Sequence, residues 1–511
     1  MNGGRHPGRG VAASGHACVT GAALDVLRAG GNAFDGAIAA GFASALAEPA
    51  LTSLGGGGFL LAQPRERAPR LFDFFVDTPG RNLGDGDLEP HFLPVTVRFP
   101  GSEQVFNTGR GSAAVPGNLK GFLHVHARLG RLPLADVLAP AIRLAREGVS
   151  INAHQGYFLD LLRPIMTLTA AGRSLYAPGG RLLAEGDRFE NPDLAGFLES
   201  LPEGGARDFY EGGLARRIAR DMRDGQGLIG EEDLAAFAVI ERAPLEVGYR
   251  GHRLLTNPPP SFGGSLLALS LLLLEASWNG SAPGSAGDLL ALASVMREVE
   301  RLRTGGCLGP GDLSADARRR SVERIRIFSR GTTHLAVCDA EGNAASMTTS
   351  NGEGSGYVAP GTGIMLNNML GEDDLHPEGF HASPPGQRVA SMMSPCVLLR
   401  DGEVRLVLGS GGSKRIRTAL LQVIHRFADC GLPIRDAVEH PRLHWDGEQL
   451  QAEPGFEPAA LDALRRHHAV NTWDRTDVYF GGVHAVVPGL EGAGDPRRGG
   501  FASVVDGLRT G

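Results

Sequence analysis

The sequence predicts a layered α/β sandwich, built from helices and short antiparallel strands, rather than a doubly wound parallel sheet. Three observations lead to this fold class. The chain has 511 residues, so either two domains or one large layered unit is expected. Helical patterns dominate the part of the chain before Gly331. After Gly331, strand patterns joined by short, glycine-bounded turns become the main feature.

The N-terminal elements are predicted to be a pair of helices that lead into a sheet. Ala12–Ala29 and Ala33–Leu46 are rich in small residues, and Asn32 is typical of a helix N-cap. After a run of four glycines, the apolar segments Phe59–Ala62 and Leu71–Phe75 predict two neighbouring strands with a turn between them.

The rest of the chain alternates between helical and strand patterns. Further helices are predicted at Leu134–Leu138 and Ala141–Arg146, separated by Pro140, and at Leu214–Arg223, Glu231–Phe237, Leu266–Leu274, Leu289–Leu302, Thr418–Phe427 and Pro458–Arg466. Further strands are predicted at Thr333–Asp339, Asn343–Thr349, Ser394–Leu399 and Val404–Leu408. The charged segment Asp316–Arg330 is typical of a solvated helix or linker.

Composition excludes several classes of function. A net charge of -7 and the lack of any polybasic run argue against nucleic-acid binding. The longest apolar stretch is too short to cross a bilayer, so no membrane span is predicted. The N-terminal residues lack the apolar core of a signal peptide, which leads us to expect a cytoplasmic protein. Five scattered cysteines without a Cys-x-x-Cys pair indicate reduced thiols, and no metal site is predicted.

The segment with the most chemical content is Gly331-Thr332-Thr333-His334, at the start of a predicted strand. If the bond between Gly331 and Thr332 were cut, Thr332 would carry both a hydroxyl nucleophile and an α-amine base, whose reference pKa is about 7.7–8.0. The same hydroxyl can first attack the carbonyl of Gly331, which gives an ester that water cleaves. Alone, this tetrapeptide is a weak signal, because a strand that starts after a turn explains most such sequences.

Other motifs strengthen the interpretation because they occur in a fixed order along the chain. They are Gly30-Gly31-Asn32-Ala33 with Asp35, Glu48-Pro49, Gly55 to Phe59, Val115-Pro116-Gly117, Leu138-Ala139-Pro140-Ala141, Asp208 to Gly212, Pro258 to Ser261, Asp339 to Ala344, Ser394-Pro395, Gly409 to Ser413 and Pro441-Arg442. Together with the Gly331-Thr332 junction, they resemble the γ-glutamyltranspeptidase family over nearly the whole chain.

This resemblance implies an N-terminal-nucleophile hydrolase with a four-layer αββα sandwich, made as an inactive precursor that cleaves itself between Gly331 and Thr332. Residues 1–331 would form the large-subunit region and residues 332–511 the small-subunit region, which remain associated as one intertwined catalytic unit. Thr332 would transfer a γ-glutamyl group from a glutathione-like amide to water or an amine. No cofactor and no metal are implied, and the sequence leaves homo-oligomer formation open.

The resemblance also assigns roles around the nucleophile. Gly411 and Gly412 match a glycine pair whose backbone N–H groups form the oxyanion hole, although a plain tight turn is the simpler interpretation of the residues alone. Ser350 stands where the family has a threonine hydroxyl that supports the nucleophile. The hydroxyl group is therefore retained.

The predicted substrate pocket departs from the family pattern at the groups that bind the substrate carboxylate. The family uses two adjacent serines and an arginine, whereas this chain has Ser391-Met392, so one hydroxyl is missing. Arg81 is the nearest candidate for the arginine, with Arg98 and Arg110 as alternatives.

The predicted binding site for the substrate ammonium is also altered. Glu372, followed by Asp373, stands where the family has an aspartate that binds the α-amine. Gly352 replaces an asparagine of the family. The pocket is thus expected to accept either a γ-glutamyl group in a changed geometry or a different acyl group.

Three alternatives remain open on the sequence alone. The first is an acylase for a related dicarboxylic acyl amide of the glutaryl type, which Met392 favours. The second is an unprocessed, inactive relative that only binds small molecules. The third, a nucleotide-binding protein, is disfavoured because neither glycine-rich stretch matches a P-loop or a dinucleotide-binding motif.

Overall fold

The structure is a computed structural model, and it describes residues 10–84, 91–99, 102–304, 331–372, 375–376, 379–380 and 383–506. The predicted linker Asp316–Arg330 and the candidate residue Asp373 lie outside the described residues. No helix in the described ranges is both long and apolar enough to cross a membrane.

The strands, in chain order, fall into two large sheets and several small ones. They are β1 (Gly10–Ser14), β2 (Gly57–Gln63), β3 (Arg70–Phe74), β4 (Leu93–Phe99), β5 (Ser102–Thr108), β6 (Val149–Ser150), β7 (Arg188–Phe189), β8 (Ile240–Arg242), β9 (Leu245–Tyr249), β10 (His252–Thr256), β11 (Thr332–Cys338), β12 (Ala344–Ser350), β13 (Val358–Ala359), β14 (Ile364–Met365), β15 (Cys396–Arg400), β16 (Glu403–Gly411), β17 (Leu443–Trp445), β18 (Leu450–Ala452), β19 (Val470–Thr472), β20 (Gly482–Val487), β21 (Glu491–Ala493) and β22 (Phe501–Val505).

The helices cover the outer faces of the two large sheets or extend beyond their edges. They are α1 (Ala17–Arg28), α2 (Ala33–Ala47), α3 (Asn118–Leu129), α4 (Leu134–Glu147), α5 (Ala153–Leu161), α6 (Arg163–Met166), α7 (Ala170–Tyr176), α8 (Pro192–Ser200), α9 (Gly205–Glu211), α10 (Gly213–Asp224), α11 (Glu231–Ala236), α12 (Phe262–Ser277), α13 (Ala286–Thr304), α14 (Arg415–Ala428), α15 (Ile434–Glu439) and α16 (Pro458–Arg465).

Two antiparallel sheets form the centre of the molecule. The first has seven strands in the order β22-β1-β11-β12-β2-β3-β8, and the second has six in the order β21-β20-β16-β15-β10-β9. Each sheet combines strands from before and after the Gly331–Thr332 bond. The two sides of this bond therefore share one pair of sheets.

Three buried apolar clusters show how the layers pack. The first lies between the seven-stranded sheet and a helical layer that includes α1 to α4. The second lies between the six-stranded sheet and α12 to α16. The third fills the space between the sheets, where Ala336 and Cys338 of β11 meet Val397 and Val407 of the other sheet. The order helix, sheet, sheet, helix confirms the predicted four-layer αββα sandwich.

Side-chain alternation along β11 decides which groups reach the space between the sheets. Leu335 and Val337 belong to the cluster under the helices, whereas Ala336 and Cys338 belong to the cluster between the sheets. By this alternation Thr332 is on the inter-sheet side and Thr333 on the helix side. Neighbouring residues at the start of β11 thus meet different layers.

The structure confirms most of the predicted elements and corrects two. Asn32 caps α2, accepting hydrogen bonds from the backbone N–H groups of Phe34 and Asp35. The predicted first helix is wrong at its beginning, because Gly10–Ser14 form β1 between β11 and β22, where small residues fit a fully buried strand. Pro140 does not separate two helices but lies inside the continuous helix α4.

A buried arginine joins the edge of the first sheet to a distant segment. Arg388 Nη1 donates to Asp73 Oδ1 over 2.6 Å, and its Nε donates to Asp77 Oδ1 over 2.6 Å. Its Nη2 donates to the carbonyl of Ala238 over 2.7 Å. Because Asp73 and Asp77 are buried, this guanidinium compensates carboxylates that water cannot solvate.

We expect Arg388→Ala to destabilise the protein by about 3–5 kcal/mol, because the substitution removes the arginine paired with buried Asp77 and one of the two arginines paired with buried Asp73. Arg253→Ala is the matched control, since Arg253 forms an exposed ion pair with Glu246 and should cost no more than about 1 kcal/mol. Thermal or denaturant unfolding measures both. Equal effects of the two substitutions would contradict the stabilising role of the buried network.

Candidate active site

The predicted nucleophile lies at the start of a central strand. Thr332 is the first residue of β11, is only 5% exposed and pairs with Ser350 at the end of β12. On the other side of β12, Ser350 pairs with Gly57 of β2. The Gly331–Thr332 bond is therefore held at one end of the seven-stranded sheet, beside the turn that follows β12.

The Ser350 hydroxyl contacts both sides of this bond. Its Oγ donates a short hydrogen bond to the carbonyl oxygen of Gly331 and accepts from Thr332 Oγ1 over 3.4 Å. The backbone N–H of Gly352 also donates to Ser350 Oγ, over 2.9 Å. These contacts use the one donor and two acceptor positions of a hydroxyl. Ser350 can thus orient the nucleophile while it polarises the carbonyl that the nucleophile attacks.

Gly331 is required by close packing. A Cβ atom at this position would overlap the carbonyl oxygen of Gly352. Its backbone is not in the left-handed region, so conformational freedom is not the reason for glycine here. The missing side chain allows the scissile bond to lie directly against the turn after β12.

The predicted glycine pair lies beside the nucleophile. Gly411 ends β16, and a Cβ atom there would overlap the carbonyl oxygen of Thr332. Gly412 follows with a φ of +123°, which favours glycine. The structure thus brings the pair to Thr332 from the second sheet, and its role as an oxyanion hole stays a prediction.

Two charged residues that the sequence did not single out contact the start of β11. Arg498 Nη1 donates to the carbonyl oxygen of Thr332 over 3.0 Å. On the opposite face, Thr333 Oγ1 lies 2.9 and 3.0 Å from the two carboxylate oxygens of Glu48. Burial raises the pKa of Glu48 to about 7, partly offset by the hydrogen bond from Thr333 and the charge of Arg498.

The histidine of the motif does not act as a base for Thr332. His334 is fully buried, and its Nδ1 hydrogen-bonds to Thr348 Oγ1 over 2.8 Å. Burial, with a smaller contribution from His484, holds its pKa well below the usual value. His334 is therefore neutral at physiological pH and is committed to β12, which leaves the α-amine of a freed Thr332 as the base.

Glu372 lies beside Gly352, which is in the turn after β12. A side chain at Gly352 would overlap both Glu372 Oε1 and Asn368 Oδ1, and Gly352 has a φ of +61°. The absence of a side chain at 352 thus makes room for the carboxyl group of Glu372, which is only 8% exposed. The role of Glu372 in binding an ammonium group stays a prediction.

The Ser391-Met392 segment is anchored to the second sheet and its helices. Ser391 Oγ accepts from the backbone N–H of Met393 over 3.1 Å, and the Ser391 carbonyl accepts from Phe262 N over 2.9 Å. Met392 is half-buried and packs against the apolar cluster of α12 to α16. These contacts do not place either side chain on Thr332.

The candidate arginines are directed to other parts of the molecule. Arg81 is exposed, and its guanidinium lies against Gly386. Arg110 packs on Gly225 and on the ring of Tyr357, at 5.3 Å from the ring centroid. The side chain of Arg98 lies outside the described residues. The guanidinium that contacts Thr332 is instead that of Arg498.

The described residues contain no group of three or more His, Cys, Asp or Glu side chains that could hold a metal ion. No role was predicted from sequence for Glu48, which contacts the Thr333 hydroxyl, or for Arg498, which contacts the Thr332 carbonyl oxygen. Glu48 belongs to a motif used for the resemblance, but it had no assigned role. Arg498 carries a weaker signal, as part of an Asp-Pro-Arg-Arg-Gly-Gly turn.

Comparisons with known proteins agree with this geometry. A model of the Gamma-glutamyltranspeptidase family matches residues 19–305 and 311–505. The glutathione hydrolase proenzyme of Escherichia coli strain K12 is 31% identical over 543 residues, which cover 96% of this chain and 91% of that protein. The acylase ACY 1 proenzyme of Pseudomonas sp. strain SE83 is also 31% identical, over 94% of this chain and 89% of that protein.

A solved structure shows the same fold. The crystal structure of cephalosporin acylase from Bacillus halodurans superposes with a TM-score of 0.82 and 26% sequence identity, over 97% of this chain and 96% of that chain. The similar proteins therefore include hydrolases of glutathione and acylases.

We expect Gly331→Ala to slow self-cleavage at least about a hundredfold, because the added Cβ must displace the bond from Gly352 and from the Ser350 hydroxyl. A denaturing gel of freshly expressed protein would then show one chain instead of two fragments. Gly248→Ala on β9 is the matched control, because a Cβ there meets nothing within 4 Å. Cleavage of Gly331→Ala at the wild-type rate would show that this contact does not control the reaction.

Proposed function

Because the chain belongs to the γ-glutamyltranspeptidase family, we propose that it is a precursor enzyme that cleaves itself before Thr332 and transfers a γ-glutamyl group from glutathione-like amides to water or an amine. The observation that carries this proposal is the Ser350 hydroxyl, which contacts both Thr332 Oγ1 and the carbonyl of Gly331. This arrangement suits attack by the Thr332 hydroxyl on the carbonyl carbon of Gly331.

Maturation follows from these contacts. Thr332 Oγ attacks the Gly331 carbonyl carbon, and the hydrogen bond from Ser350 stabilises the negative charge that develops on the oxygen. The hydroxyl proton of Thr332 passes to the amide nitrogen as the C–N bond breaks, giving an ester to Thr332 Oγ and a free α-amine. Water hydrolyses the ester, which leaves a carboxylate on Gly331 and restores the hydroxyl of Thr332.

The matured site can then act on a second amide. The α-amine of Thr332 accepts the hydroxyl proton while Oγ attacks the substrate carbonyl. The leaving amine departs with that proton, and the acyl group stays on Thr332 as an ester. Water or an acceptor amine releases it by the same steps in reverse. We assign the oxyanion hole to the backbone N–H groups of Gly411 and Gly412, and the packing of Gly411 against the Thr332 carbonyl supports this role.

Glu372 supports the γ-glutamyl group as the acyl group. Its carboxyl lies against Gly352, and the carbonyl of Gly352 is packed on Gly331, so one residue separates Glu372 from the scissile bond. A γ-glutamyl group carries an ammonium that a carboxylate binds through charge-assisted hydrogen bonds. A glutaryl group has no ammonium and gains nothing from this contact.

A second candidate function is an acylase for a related dicarboxylic acyl amide of the glutaryl type. Met392 replaces a hydroxyl residue in the expected carboxylate site and so alters the pocket, but both acyl groups carry a carboxylate there, and the support for the acylase comes from the similar proteins. Proteins named acylase are as similar to this chain as those named glutathione hydrolase.

We expect Thr332→Ala to abolish both self-cleavage and turnover, because it removes the only proposed nucleophile. Thr332→Ser keeps the hydroxyl and should retain both reactions at a reduced rate. The number of fragments on a denaturing gel reports cleavage, and release of aniline from γ-glutamyl anilide reports turnover. Turnover by Thr332→Ala would contradict the assignment of the nucleophile.

We expect Glu372→Gln to lower kcat/KM for a γ-glutamyl anilide at least about tenfold, while kcat/KM for a glutaryl anilide changes no more than about twofold. Loss of the carboxylate removes the partner of the ammonium, which only the first substrate has. Glu246→Gln, an exposed change on β9, is the control. A wild-type preference for the glutaryl anilide would favour the acylase, and equal losses on both would contradict the ammonium contact.

A further inference from the structure

Two residues of opposite charge, Arg498 and Glu48, contact the first two residues of β11, and neither has a role in the steps described above. Arg498 binds the carbonyl oxygen of Thr332, and Glu48 binds the hydroxyl of Thr333. The side chains of Thr332 and Thr333 lie on opposite faces of the strand. Glu48 therefore acts from behind the nucleophile, on the helix side of the sheet.

The position of Glu48 is closely determined by its surroundings. It caps the C-terminal end of α2, is only 1% exposed, and has both carboxylate oxygens within 3.0 Å of Thr333 Oγ1. The backbone of Gly15 closes over it, since a Cβ there would overlap Glu48 Oε1. The carboxyl group thus joins the end of α2 to Thr333, the second residue after the scissile bond.

This carboxyl group is in an unusual electrostatic position. The C-terminal end of a helix carries partial negative charge, so a carboxylate is disfavoured there. Burial adds to this effect and raises the pKa of Glu48 to about 7. Its charge therefore changes in the same pH range as that of a free α-amine, whose reference pKa is about 7.7–8.0.

We propose that Glu48 is a positioning residue for the nucleophile: it fixes Thr332 through Thr333, and its charge sets the pH range in which the α-amine of Thr332 is an uncharged base. This inference rests on the proposed function, because it requires Thr332 to become the N-terminal residue. It goes beyond that function, because the Glu48 carboxyl on the helix side of β11 then affects both precursor cleavage and turnover.

Other titratable or charged groups near Thr332 also affect the pKa of its α-amine, and their effects must be distinguished from that of Glu48. Arg498, from the segment after β21, favours the neutral amine, whereas Glu372, beside Gly352, favours the protonated amine. His334 faces the second sheet and is neutral at physiological pH. Substitution of Glu48 alone leaves these three groups in place.

The direction of the effect follows from the sign of the charge. A carboxylate near the amine stabilises the protonated form and raises the pKa of the amine, so the active, neutral form is populated at higher pH. Removal of this charge lowers the pKa of the amine. The acid limb of the kcat profile should therefore move to lower pH when Glu48 is replaced by a neutral residue.

The test uses Glu48→Gln, which keeps the size of the side chain and a partner for the Thr333 hydroxyl. We expect its precursor to mature, and the acid limb of kcat against pH to move down by at least about half a pH unit relative to wild type. Glu246→Gln, an exposed carboxylate on β9, is the matched control and should leave the profile unchanged. A profile of Glu48→Gln that coincides with that of wild type would overturn the electrostatic part of the proposal.

The positioning part is tested with Thr333→Val and Thr333→Ser. Thr333→Val removes the hydroxyl at nearly constant size, and it should slow precursor cleavage at least about tenfold. Thr333→Ser keeps the hydroxyl and should restore cleavage. Cleavage of Thr333→Val at the wild-type rate would overturn the positioning role.

Failure of the proposed function would instead appear as turnover by Thr332→Ala, whatever the Glu48 variants do.

Discussion

The site depends on the close approach of three backbone segments around one peptide bond. Gly331 lies against the carbonyl of Gly352, and Gly411 lies against the carbonyl of Thr332. Neither contact leaves room for a side chain. Because the two sheets pack face to face, the end of β16 meets the start of β11 at this place. The positions of the nucleophile, of Ser350 and of the glycine pair all follow from this packing.

Burial also determines the electrostatics of the site. His334 lies a short distance along the same strand as Thr332, yet burial keeps it neutral and its Nδ1 bonds to Thr348. Glu48 is held at the end of a helix, where burial raises its pKa to about 7. The fold thus keeps the imidazole of His334 uncharged. This suits a mechanism in which the α-amine released by cleavage supplies the base.

Much of the local structure could be predicted from sequence. Local pattern is enough to indicate an element whose structure depends on neighbouring residues. This holds for the side-chain alternation of β11 and β12, for the helix cap at Asn32 and for the amphipathic or apolar helices. The predictions failed where tertiary structure overrides local preference. Gly10–Ser14 lacks a strong strand pattern and is a strand because β11 and β22 pair with it. Pro140 remains inside α4, which packs against α2 and α8.

By itself, the sequence determined the order of motifs, and their resemblance to the family predicted the nucleophile at Thr332 and the supporting hydroxyl at Ser350. Only the tertiary structure decided which charges surround Thr332. Glu48 and Arg498 come from opposite ends of the chain and meet at β11, in a sheet where β1 pairs with β11 and β22 pairs with β1. Such contacts depend on strand order and layer packing, which local residue patterns do not encode.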